Sequence, residues 1–222
     1  SGNYNYFTPT NMGVDHMMRD NPLNNFCTLT PLVRGGQYSS APNLSEGNLA
    51  VFNSGSDDTS YCATFSFSSG KWYWEMLRIN DVNKTSFGII NDVEASKNAY
   101  VAYSNALGAN PSYGWDVLYG YLMTDTTQTA TGFARPPGGS ILACAVDLDS
   151  GTKTIKFYLN GFLITGGTPD INSLTITEVG ETWVPAFRID SSQQAVFNFG
   201  QDSSFAGQLT AQGNQDDNDK GD

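Results

Sequence analysis

Histidine is all but missing from this chain of 222 residues: His16 is the single one. A Ser-His-Asp triad would have to recruit it from an irregular stretch beside Met17 and Met18. A site built from several histidines is impossible. Cysteine is scarce as well. Cys27, Cys62 and Cys144 make an odd count with no C-x-x-C pair. Neither a disulfide framework nor a thiolate zinc site is indicated, and assembly in a reducing cytoplasm is compatible with this. Cys144 sits inside the apolar run Ile141–Val146 and reads as an inert core thiol. No apolar segment approaches the length of a membrane span. The opening Ser1-Gly2-Asn3-Tyr4 lacks the apolar run of a signal peptide. Gly35-Gly36, Gly138-Gly139 and Gly166-Gly167 lack the Gly-Lys-Ser/Thr that a phosphate cradle needs. A long 3.6-residue hydrophobic period is absent, so helix should be minimal. There is no internal repeat of fixed period.

Charge is also thin. Charged residues make up 15% of the chain, yet the net charge is −11. Such a field repels phosphate backbones and anionic lipid, so neither nucleic acid nor a membrane is expected as partner. The surface must be covered largely by Ser, Thr, Asn and Gln, a coat common in secreted and virion proteins. Asp147, Asp149 and Gly151 echo the start of a calcium loop. The residues that follow are apolar (Ile155, Phe157) and no Glu closes it, so turn chemistry is the expectation there. Glu75 lacks the second flanking carboxylate that a glycosidase requires. No catalytic residue, cofactor or metal is predicted.

Aromatics are plentiful: 13 Phe, 11 Tyr and 4 Trp, alongside 23 Gly. Aromatics suit half-buried strands, and Gly and Asn suit tight turns. Residues 1–43 read as an extended arm with turns at Asn21-Pro22, Gly35-Gly36 and Ala41-Pro42. Phe26, Leu29 and Leu32 should pin that arm to something. Strands are predicted at 48–53, 61–67, 72–79, 86–90, 113–117, 118–123, 141–148, 154–159, 183–189 and 195–199. Trp72, Trp74 and Met76 alternate with Tyr73, Glu75 and Leu77, and both sets are largely apolar. That strand should be central and covered on both faces. Asn160-Gly161 is the strongest hairpin signal in the chain. Residues 207–222 have the composition of a disordered or abruptly cut tail. The expected organisation is an arm (1–43), an all-β sandwich (44–206) and a polar acidic tail (207–222).

Several blocks occur in a telling order. They are Gly70-Lys71-Trp72-Tyr73-Trp74-Glu75, Phe87-Gly88-Ile89, Tyr113-Gly114-Trp115 and Asp147-Leu148-Asp149-Ser150-Gly151. Then come Phe157-Tyr158-Leu159-Asn160-Gly161, Trp183-Val184-Pro185-Ala186 and Phe197-Asn198-Phe199-Gly200. Together they resemble the SPRY (B30.2-like) domain over about residues 62–200, and the resemblance implies an all-β, two-layer antiparallel β-sandwich of jelly-roll type. Asp20–Phe26, Leu29-Thr30-Pro31 and Leu44–Leu49 are similar to what precedes such domains in bacteriophage and marine-virus tail-fibre and appendage proteins. Gly200–Gly207 continues that likeness. In those proteins a Pro-Ser-Gly and aromatic segment follows, and its absence before Asp222 reads as a fragment or terminal boundary.

The resemblance implies a non-enzymatic module that grips partners through loops at one end of the sandwich. Its implied setting is a virion assembled in a host cytoplasm. The implied partner is a host surface glycan or protein, or a neighbouring virion subunit reached through the arm, with a homo-oligomer as one arrangement. The contact loops would be 91–98, 104–112, 124–135 and 162–170. Tyr100, Tyr103, Tyr113, Tyr119 and Phe133 lie in loop-rich sequence, where Tyr brings contact area plus a hydroxyl at low entropy cost. Arg135 beside Pro136-Pro137 is the charged contact candidate. Trp72, Trp74, Trp115, Phe157, Trp183, Phe197 and Phe199 are assigned to the core.

Overall fold

A computed structural model describes residues 25–35, 43–54, 59–81, 84–96, 111–125, 127–130, 132–165 and 174–211. The strands run in chain order as β1 (Leu29–Gly35), β2 (Asn43–Ser45), β3 (Ala50–Phe52), β4 (Thr59–Ala63), β5 (Lys71–Arg78) and β6 (Thr85–Asn91). After them come β7 (Ser112–Asp116), β8 (Tyr121–Thr124), β9 (Thr127–Ala130), β10 (Ile141–Asp147) and β11 (Thr154–Leu159). The series ends with β12 (Phe162–Leu163), β13 (Leu174–Thr175), β14 (Trp183–Ile189) and β15 (Gln194–Asn198). Among the described residues the one helical element is α1 (Asp92–Ser96), and Asn91 Oδ1 caps it by accepting the Val93 N–H at 2.9 Å.

Two antiparallel sheets face each other. One has seven strands in the order β1-β4-β14-β6-β7-β8-β9. The other has eight, ordered β12-β11-β10-β5-β15-β3-β2, with β13 paired to β11. The expected two-layer all-β sandwich is therefore present. Its inner faces meet through aromatic rings, which bury large areas per residue. Phe87 on β6 meets Phe157 on β11 edge-on, with centroids 5.5 Å apart, and Trp115 on β7 leans on both. Phe187 on β14 meets Phe197 on β15 at 4.4 Å.

Local chemistry explains how the strands begin and end. Asn160 and Gly161 both adopt positive φ, 49° and 80°, as the tight hairpin requires. Asn160 Oδ1 also accepts the Ile141 N–H at 2.8 Å, tying this turn to the start of β10. Asp147 accepts the Asp149 N–H, the Ser150 N–H and the Ser150 hydroxyl, so its carboxylate holds the β10–β11 turn. Pro185 lies in a central strand, where a missing N–H is normally excluded. Pairing of β14 with β4 starts only at Ala186, and the chain after β4 rejoins β14 through a lone bridge from Phe67 to Trp183. Pro185 therefore occupies a gap in that ladder. Gly88 sits opposite Gly114, and a Cβ on Gly88 would lie 2.0 Å from the Tyr113 carbonyl oxygen. Only hydrogen fits there.

Four expectations change. Part of the predicted arm is an edge strand: β1 pairs with β4, its Pro31 tolerated because an edge strand has one side unpaired. Leu29 is buried, but Leu32 is exposed to solvent. The predicted strand 118–123 begins instead as a turn at 117–120, where Gly120 has φ 64°. Strand β5 is central, between β10 and β15, but its outer face is covered only at one end. Leu77 packs under Val196 and Phe205, whereas Tyr73 is 52% exposed. The covering segment is 201–206, at the end of the predicted sandwich range and next to the predicted tail. It winds around Asp202, whose carboxylate accepts N–H groups of Ser204 and Ala206. Finally, Trp72 is 37% exposed rather than core, since it lies at the rim where β5 begins.

Three outcomes follow from this packing. Gly88→Ala should lower unfolding free energy by about 3 kcal/mol, the upper end for overpacking, because backbone rather than a movable side chain blocks the methyl. Phe205→Ala should cost about 3 kcal/mol by exposing Leu77 and leaving a cavity. Urea titration checks both. The third concerns acid. The Ser150 N–H, then the Ser150 hydroxyl, hold the Asp147 carboxyl well below its ordinary 3.8. A depressed folded value means its stabilisation is present above 3.8 and fades as pH falls below it. Asp147→Asn should flatten that acid-side fall in the urea midpoint.

Candidate binding cleft

One end of the sandwich gathers three connections. These are the turn 117–120 between β7 and β8, the segment 132–140 leading into β10, and the Asn160-Gly161 hairpin between β11 and β12. Close approach locks the first two together. A Cβ on Gly120 would lie 2.6 Å from the Phe133 carbonyl oxygen. The same segment packs on the end of β5, since a Cβ on Gly138 would meet Asn80 Cα and the Ile79 oxygen at 3.1 Å.

Between segment 132–135 and the β11–β12 hairpin lies a cleft of about 410 Å³, lined by Trp115, Phe133, Leu159, Phe162 and Leu163 among others. Phe162 is 80% exposed and stands at its rim. Trp115 is 1% exposed, and its indole N–H is buried without a hydrogen-bond acceptor among the described residues. A buried donor with no partner is costly, and a water or another acceptor is its usual complement. The mostly apolar lining of the cleft can seat an apolar group.

The predicted site residues are dispersed by this geometry. Phe133 lines the cleft and is partly buried against the core. Tyr119 is 52% exposed on the neighbouring turn, stacked on Tyr121 at 5.6 Å, with Lys84 Nζ 5.8 Å above its ring. Arg135 is at the same end but is engaged inside the protein: its Nε lies 2.5 Å from Asp81 Oδ1. That carboxylate also pairs with fully buried Arg78, whose Nη1 donates to the Pro136 carbonyl. Burial, then the neighbouring Arg135 charge, lowers the Arg78 pKa. Arg135 is thus a strut for segment 132–140. Tyr113 is a correction. It is buried at the far end of β7, and its hydroxyl donates to Glu178 at 2.7 Å and accepts from the Thr177 N–H. It sits on a seven-stranded sheet's inner face, packed edge-on against Trp183. Tyr100 and Tyr103 lie outside the described residues.

Phe162 and Leu163 were missed among the sequence candidates. The signal was available, since a bulky apolar pair directly follows the Asn-Gly turn, where solvent contact is the rule. Glu75, weighed as a hydrolytic acid, lies on the outer sheet face and accepts from the Tyr73 hydroxyl at 2.8 Å and from Asn198 Nδ2 at 3.4 Å. Burial, then that bond to Glu75, pushes the Tyr73 phenol well above its ordinary range. Cys27, Cys62 and Cys144 are buried and none is joined in a disulfide among the described residues, and burial drives the Cys144 thiol well up.

No protein-family model matches the chain, and no curated protein does. Solved structures do. The SPRY domain of human HERC1 is similar with a TM-score of 0.55 and 12% identity, covering 76% of this chain and 96% of that one. A human SPRY domain is similar with a TM-score of 0.51 and 14% identity, covering 71% of this chain and 94% of that one. The two-sheet order, the Asn-Gly hairpin and these likenesses agree that the chain has the SPRY fold.

Proposed function

We propose that this chain is a non-catalytic binding module that grips a protein partner through the cleft beside Phe162. The observation that carries the reading is an exposed aromatic rim at a cleft lined by an indole whose buried donor has no acceptor among the described residues. Exposed aromatic anchors around a desolvated pocket are the usual source of binding energy at interfaces. An extended peptide supplies both needs at once, an apolar side chain and a carbonyl acceptor. The setting we infer is a virion appendage such as a phage tail fibre, spike or head fibre, with a host surface molecule as the target. The block Asp20–Leu49 and the weakly charged, acidic surface support that setting. A second reading is docking onto a neighbouring virion subunit through the N-terminal arm. It is favoured by the way the arm's last part enters the sheet as edge strand β1.

The test is selection of peptides from a displayed random library on the immobilised chain, beside a glycan array. Phe162→Asp should weaken selected peptides roughly thirtyfold, equivalent to about 2 kcal/mol for a hot-spot aromatic. Its folding stability should stay within about 0.5 kcal/mol, as for other exposed positions. Trp115→Phe, which keeps an aromatic ring but deletes the donor, should weaken the same peptides. Selected peptides indifferent to both changes, or array hits with no peptide selected, would refute the protein-binding reading.

A further inference from the structure

The opposite end of β5 carries a second aromatic feature, independent of the cleft. A pocket of about 100 Å³ opens among Phe26, Phe65, Phe67, Trp72 and Phe199. That volume is several times the ~10–15 Å³ that one water needs, enough for a small compact group. Trp72 is fixed in place on three sides. Its indole N–H donates to the Ser69 carbonyl at 2.7 Å, and its ring stacks on Phe67 at 4.9 Å. Gly70 holds φ 93°, and a Cβ there would come within 3.0 Å of Trp72 Nε1. Glycine at this position is what lets the indole fold back over the turn. The ring nonetheless stays 37% exposed, so a held aromatic surface faces solvent at the pocket.

Among the described residues no lysine, arginine, aspartate or glutamate lines this pocket. Aromatic faces carry negative potential, and a cation within about 6 Å of a centroid is attracted to them, to Trp most of all. The whole chain adds a field of net charge −11. An ordinary ammonium is strongly hydrated and resists entry, whereas methylation removes its water-binding protons and rounds its shape. We propose that this pocket binds a methylated ammonium group, presented as a trimethylated lysine side chain on a cationic peptide. A peptide source fits the net negative field better than a choline headgroup, whose phosphate that field repels.

The probes are Nα-acetyl-Nε-trimethyl-lysine amide, its neutral analogue with a tert-butyl group in place of trimethylammonium, the unmethylated lysine amide, and phosphocholine. Each is titrated by isothermal calorimetry against the whole chain and its variants, and on the unaltered chain the Trp72 indole N–H resonance is also followed by NMR. The trimethylated probe should bind at least tenfold tighter than the neutral analogue and the unmethylated lysine. Trp72→Ala should lose that binding, and Trp72→Phe should retain part of it. Equal affinity for the neutral analogue would overturn the cation assignment on the unaltered chain, whatever the variants do to folding. An unchanged affinity in Trp72→Ala would place the site elsewhere, and tighter binding of phosphocholine would overturn the peptide source. None of these results depends on Phe162, so the cleft and the pocket stand or fall separately.

Discussion

Phe87, Trp115 and Phe157 belong to three strands on two sheets, and their rings meet within 6.3 Å of one another. This contact sets the spacing and registration of the two layers. Phe87 and Trp115 are direct partners across the β6–β7 ladder, and the next pair along is Gly88 with Gly114. Had Gly88 carried a side chain, the backbones of β6 and β7 could not keep their present approach, and the rings beneath would shift with them. A well-packed interior transmits such a shift instead of absorbing it. The Phe187–Phe197 contact repeats the arrangement one strand over, so the layers are pinned at two places.

With the centre sealed by rings, binding chemistry is pushed to the two ends. Strand β5 links them. Its first residues carry Trp72 at the rim of one end, and its last residue, Arg78, is buried beneath segment 132–140 at the other. The shared carboxylate of Asp81 holds two guanidinium groups there, which makes the wall of the cleft rigid. Rigid walls matter because a preformed site costs less ordering when a partner arrives. The cleft then differs from an ordinary loop surface in one respect: Trp115 belongs to the core and to the cleft at once, and its indole N–H has no acceptor among the described residues.

The strands with strong alternation were legible in the residues themselves. Those at 154–159 and 183–189 have the predicted bounds, and those at 141–147 and 194–198 differ by one residue. Asn160-Gly161 was equally clear, since few other residues tolerate positive φ at consecutive positions. Short polar strands were not legible. Thr127–Ala130 is too short and too polar to show a period, and β1 is broken by Pro31. The candidate site was half visible. The loops 124–135 and 162–170 were named, and Phe133 lines the cleft, yet Phe162 and Leu163 were passed over and Arg135 proved to be bracing.

Trp72 and Tyr113 show where the division falls. Period-two alternation places Trp72 on a core face, whereas the loop-rich sequence around Tyr113 reads as contact surface. Whether either is covered depends on how far the opposite sheet extends, which no local pattern encodes. Trp72 outruns its cover and Tyr113 lies well beneath it. Composition, alternation and turn residues were enough to specify an all-β sandwich and its strongest hairpin. The extent of overlap between layers, the packing of Phe205 on the outer face, and a Trp115 indole N–H buried without an acceptor among the described residues arise only when distant strands meet. They are long-range packing outcomes, settled by which surfaces remain after the aromatic core has closed.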